Sequence, residues 1–92
     1  MSKELSAVNV IKESEHFIGY VAGDLVVHCP ECGFYCNHFD GMREVDGGDN
    51  YAAWSGRGDL IAIRFLGECG HNFELCFGFH KGTTFVFCRT RQ

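Results

Sequence analysis

The sequence predicts a small, mainly β domain, and three observations carry that prediction. Residues 59–89 contain three runs rich in aromatic and β-branched side chains, DLIAIRFL, NFELCFGFH and TTFVFCR, separated by turn-forming residues. In the middle run Phe73, Leu75, Phe77 and Phe79 alternate with Asn72, Glu74, Cys76, Gly78 and His80, the period-two pattern of a strand with one buried face. Finally, 92 residues with 46% hydrophobic and 22% charged content are enough for one packed core and too apolar for a disordered chain. A three-stranded antiparallel sheet is therefore expected, with Phe73, Leu75, Phe77 and Phe79 in the core. His80-Lys81-Gly82 supplies a tight turn before the last strand, with Gly82 at positive φ.

The remaining elements follow from the N-terminus. Residues 1–15 carry Leu5, Val8 and Ile11 at three-residue spacing among polar neighbours, a weak helical pattern, and are read as an arm. The arm either adheres to the domain or frays from it. Residues 16–92 form the single domain. Its first segment, FIGYVAGDLVVHC, has two apolar runs joined by Ala22-Gly23-Asp24, which predicts an additional N-terminal hairpin. The stretch GFYCNHFDGMREV fits a short helix or an irregular strand equally well. Residues 46–58, DGGDNYAAWSGRG, combine Gly with Asp, Asn and Ser and form a loop that carries Tyr51 and Trp54.

A domain of this size removes only about two thirds of its unfolded surface from water, so an additional clamp is expected. Six cysteines offer one. The first residues, MSKELSAVNVIKESEH, show no apolar export core, and no run is long enough to cross a membrane as a helix. The expected compartment is the reducing cytoplasm, where clustered thiols bind metal more often than they form disulfides.

Cys29-Pro30-Glu31-Cys32-Gly33 is a knuckle in which two thiolates reach one tetrahedral ion from a tight turn. A structural site needs a second pair of ligands, and Cys69 and His71 provide it at the turn between two expected strands. The long stretch between Cys32 and Cys69 is tolerable, because each doubling of a flexible loop costs only about 0.6 kcal/mol. Cys29, Cys32, Cys69 and His71 are thus the expected metal ligands. For the fourth position His28, His38, Cys36 and Cys76 compete with His71. Cys76 and Cys88 otherwise read as packing residues, His28 as a hydrogen-bonding neighbour of the site, and His16 and His80 as ordinary polar residues. Mixed nitrogen and sulfur ligation favours structural Zn2+, with iron as the alternative metal.

The pattern CPECG, then ECGHNFEL, then HKGTTF, spread over roughly residues 28–86, resembles a group of small uncharacterised zinc-ribbon proteins of bacteria and their phages. The resemblance implies a zinc-ribbon-like fold with ligands at Cys29, Cys32 and His71. The family's usual Cys falls at or near Gly67 here, so Cys69 takes its place. No activity comes with the resemblance, and the HKG turn suggests a shared structural or contact role.

The sequence points away from an enzyme, since no activated nucleophile, carboxylate pair or open metal position is evident. Asp46, Asp49 and Asp59 read as a solvated acidic loop, and Arg57-Gly58-Asp59 as a chance match to an attachment tripeptide. The net charge of −4 opposes general attraction to polyphosphates. The expected function is that of a noncatalytic module that binds a protein partner, with Tyr51, Trp54, Arg57 and Lys81 as candidate contacts. Trp54 fits equally well as a cover for the thin core. The alternative is nucleic-acid binding through the basic C-terminal sheet, where residues 60–92 hold Arg64, Lys81, Arg89 and Arg91 against Glu68 and Glu74.

Overall fold

A computed structural model describes residues 2–48 and 51–91. Its strands are β1 (Ser2–Ser6), β2 (Ile11–Glu13), β3 (Leu25–Val27), β4 (Asn37–Val45), β5 (Leu60–Gly67), β6 (Asn72–His80) and β7 (Thr83–Arg91). Five of them form one antiparallel sheet in the order β1-β7-β6-β5-β4, while β2 and β3 pair separately. The protein is mainly β, as expected. No helix among the described residues is long and apolar enough to cross a membrane.

The three expected strands are β5, β6 and β7, and the sheet is widened on both sides. On one side β4 joins β5 with a break in register between Phe39 and Met42, where Gly41 takes φ 107°. That break is why GFYCNHFDGMREV shows no clean strand period. On the other side β1 pairs with β7 from Ser2↔Arg91 to Ser6↔Phe87. The helical reading of the arm is therefore corrected. Leu5 packs with the core and Val8 is 78% exposed, whereas Val10, outside the helical stripe, is fully buried.

The N-terminal hairpin also differs from expectation. Residues 17–21 are not a strand, and β3 takes β2 as its partner instead. Asp24 explains the change: its carboxylate accepts hydrogen bonds from the backbone N–H groups of Gly19, Tyr20 and Val21, which turns this segment back on itself. Between β6 and β7, His80 pairs with Thr83, so Lys81 and Gly82 alone make the turn. Both have positive φ, 49° and 80°, as a two-residue hairpin turn requires.

Hydrophobic clusters lie on both faces of the sheet. On the first face Phe73, Leu75 and Cys88 pack with Val10 and Cys29, backed by Leu5, Val27, Phe34, Phe65 and Phe77. On the second, Leu60, Ala62 and Cys76 pack with Ala53 and Trp54. Of the four side chains expected in the core, Phe73 and Leu75 are buried, Phe77 is half-buried and Phe79 is 38% exposed. Val10, Val27 and Cys29 of the N-terminal segment pack at the Phe73–Leu75 end of this face, and Phe79 belongs to neither cluster.

Candidate metal centre

Two turns converge at the covered end of the first face. The knuckle 29–33 is built by its own backbone: Gly33 N–H donates to the Cys29 carbonyl at 2.9 Å, and Cys29 N–H donates to the Phe34 carbonyl at 2.8 Å. Gly33 has φ 81°, a conformation costly for any side chain with a Cβ. The Glu31 N–H points at Cys29 Sγ, 3.4 Å away. Opposite, the β5–β6 turn closes through Gly70 N–H to the Gly67 carbonyl and Gly67 N–H to the His71 carbonyl, each 3.0 Å. A Cβ at Gly67 would lie 2.5 Å from the His71 carbonyl oxygen and 3.0 Å from Cys69 Sγ, so that position accepts little besides glycine. Asn37 ties the knuckle to the sheet. Its amide donates to the carbonyls of Val27 and Phe34, at 2.9 and 3.0 Å, on either side of the knuckle.

The result is a cluster of the Cys29, Cys32 and Cys69 sulfurs with the His71 imidazole, all ligand atoms lying within 4.8 Å of one another. His71 Nδ1 is 3.5 Å from Cys29 Sγ and 3.4 Å from Cys69 Sγ. A tetrahedral zinc ion with Zn–S of about 2.3 Å and Zn–N of about 2.05 Å separates N from S by roughly 3.6 Å. The two N–S distances fit that separation, so the four side chains could hold one ion with Nδ1 as the ligand nitrogen.

The electrostatics agree. Cys69 is lowered from 9.0 to about 7, first by the backbone N–H of His71 and then by bonds to Cys32, His71 and Cys29, against the opposing effect of burial. Cys32 moves the other way. The Phe34 backbone N–H stabilises its thiolate, yet the Cys69 and Cys29 sulfurs and desolvation together raise it above its ordinary value. The Cys32 and Cys69 thiols thus resist ionising together unless a cation joins them. A divalent ion bound there would supply that charge.

The rivals for the fourth position lie elsewhere. His28 is buried with Nδ1 2.9 Å from the Val26 carbonyl, and His38 pairs with Glu68 at 2.7 Å. Cys36 contributes only its carbonyl, which accepts from Glu68 N–H. Cys76 is on the opposite face, where burial pushes its thiol up to about 12, and burial raises Cys88 to about 11. His16 stacks on Tyr35 at 3.9 Å.

Of the residues singled out for partner contact, Trp54 is 9% exposed and acts as a cover. It lies against Phe85 and Phe87, and its Nε1–H donates to the Gly58 carbonyl at 3.2 Å. Tyr51 and Arg57 are exposed and stack on each other at 5.7 Å, and Lys81 is exposed in its turn. Asp46 and Asp59 accept hydrogen bonds from the backbone N–H groups of Gly48 and Gly47, while Asp49 lies outside the described residues. No local pattern marks Asn37, whose role depends on two carbonyls brought beside it by the fold. Comparison with protein-family models, curated proteins and solved structures finds no match.

Proposed function

We propose that the protein is a noncatalytic zinc-clamped module, related in plan to zinc ribbons, that binds a protein partner. The observation that carries the proposal is the Cys29, Cys32, Cys69 and His71 cluster with its tetrahedral spacing. With four protein ligands the ion has no position left for water or substrate, which is the arrangement of structural rather than catalytic zinc. Cys29 belongs to the buried cluster on the first face, so the ion joins the N-terminal segment to the sheet where a small core most needs it.

Charge pairing favours a protein partner over a nucleic acid. Arg64 pairs with Asp40 and Arg89 with Glu4, so two of the four cations of residues 60–92 are neutralised internally. Elemental analysis of the purified full chain tests the clamp. About one equivalent of zinc is expected, with loss of structure on chelation. Less than about half an equivalent of zinc or iron, in protein that stays folded with chelator, overturns it.

A further inference from the structure

We propose that the turn spanning residues 17–25, with the aromatic rings behind it, is the docking surface of the module, and that its occupant is a protein segment bearing Lys or Arg beside an apolar anchor. This inference rests on the interaction-module reading and adds the surface and the chemistry of the partner.

The turn presents apolar side chains to water on a fixed frame. Ile18, Tyr20, Val21 and Leu25 are 77%, 80%, 61% and 57% exposed. The Asp24 carboxylate accepts the N–H groups of Gly19, Tyr20 and Val21 at 2.8, 3.0 and 3.0 Å, and Asp24 N–H donates to the Val21 carbonyl at 3.1 Å. The N–H groups of Val21 and then Gly19 hold this carboxyl below its usual range. Aromatic contacts extend the frame inward. Phe17 meets Tyr20 and Tyr35 edge-on at 6.2 and 5.6 Å, and Tyr35 lies 4.9 Å from Phe34, which packs against the buried cluster beside the knuckle. A contiguous exposed apolar surface is a recurrent mark of recognition, and fixing it in advance lowers the ordering cost of binding.

Charge selects the occupant. Residues 11–36 contain Glu13, Glu15, Asp24 and Glu31 against the single cation Lys12. A shallow cleft of about 310 Å³, lined by Glu13, Ser14, Glu15, Ile18, Gly23 and Asp24, opens beside the exposed turn. This field repels polyphosphates and anionic lipid. It attracts an ammonium or guanidinium group, which the neighbouring Tyr20 face stabilises further, while the apolar turn accepts the residue next to it.

The test is selection of phage-displayed random peptides on the full-length, zinc-loaded chain. Selected peptides should pair Lys or Arg with a large apolar residue and weaken as salt rises. The Tyr20→Ser/Val21→Ser variant should bind them at least roughly tenfold more weakly, whereas Phe79→Ser, also at an exposed apolar position, should leave them unchanged. Zinc content and chelator sensitivity, measured on both variants, should match the parent and so separate lost contact from lost fold. Acidic or purely apolar peptides, or equal binding by the Tyr20/Val21 variant, overturn the surface while leaving the module reading intact. Failure to select any peptide on fully zinc-loaded protein overturns both the surface and the module reading.

Discussion

On one face of the sheet, residues 7–36 meet the strands at three thiols and an imidazole that could share one ion; on the other, residues 51–58 are held chiefly by one indole. Both covers are irregular chain with little secondary structure to stabilise them. The indole depends on shape. A Cβ at Gly78 would sit 2.5 Å from the Trp54 ring, so the ring lies where the strand has no side chain. Arg89 assists by donating to the Ala53 carbonyl at 2.7 Å, and Ser55 Oγ donates to Glu4 at 2.8 Å. Apolar contact of this kind contributes a few kcal/mol, whereas structural zinc contributes on the order of 10 kcal/mol in zinc-finger peptides. The two faces therefore differ in how they fail. One is expected to depend on metal supply and pH, and the other on side-chain volume.

The largest expected effect breaks the metal face. Cys29→Ser should lose the ion and most of the stability of a small domain, so that the variant is unfolded or molten at 25 °C by near-ultraviolet circular dichroism. A variant as stable as the parent would show that the clamp is dispensable. Trp54→Ala should follow, at about 3–5 kcal/mol by denaturant titration, with zinc stoichiometry unchanged. Gly78→Ala attacks the same face by displacing the indole. It should cost about 1–3 kcal/mol and shift Trp54 emission to the red as the ring meets water. Zinc loss in either of these two variants would show that the faces are not independent.

Smaller effects sharpen the contrast. Asn37→Ala removes both hydrogen bonds that pin the knuckle and should cost about 1–3 kcal/mol, with faster zinc transfer to a chelator. Unchanged transfer would mean that the coordinate bonds alone shape the knuckle. pH acts on the metal face. Since the Cys69 thiol titrates at about 7 in place of 9.0, its contribution to the metal-free fold is complete above about 9 and is lost as pH falls through 7. Zinc uptake by the metal-free chain should consequently release fewer protons as pH rises from about 6 to about 9, read with an indicator dye in weak buffer. Release that does not vary with pH would contradict the depressed Cys69 thiol.

Much of this was legible in local sequence. The alternation in NFELCFGFH, the Lys81-Gly82 turn and the CPECG knuckle each encode their structure within a few residues, through side-chain period, positive φ or ligand spacing. Pairings set by distant residues were hidden. Leu5, Val8 and Ile11 mimic a helical stripe, but the unpaired edge of β7 draws the arm into the sheet. Likewise, FIGYVAGDLVVHC has hairpin punctuation, yet the Asp24 carboxylate satisfies the N–H groups that a strand at 17–21 would have used. The Trp54 cover depends on Gly78, which the sequence marks only as a small residue on a strand's other face. The Cys69 and His71 half of the cluster was accessible because Cys-x-His at a turn brings two side chains together by itself, while the union of the two turns needed the sheet.

In the proposed clamp one tetrahedral ion joins the knuckle to the β5–β6 turn. X-ray absorption at the zinc edge, on protein purified without added metal, reads that ion directly. The account predicts sulfur neighbours at about 2.3 Å and a single imidazole nitrogen at about 2.05 Å in a three-to-one ratio, with the nitrogen signal lost in His71→Ala and kept in His80→Ala. A shell rich in water or carboxylate oxygen, or one unchanged by His71→Ala, would contradict it.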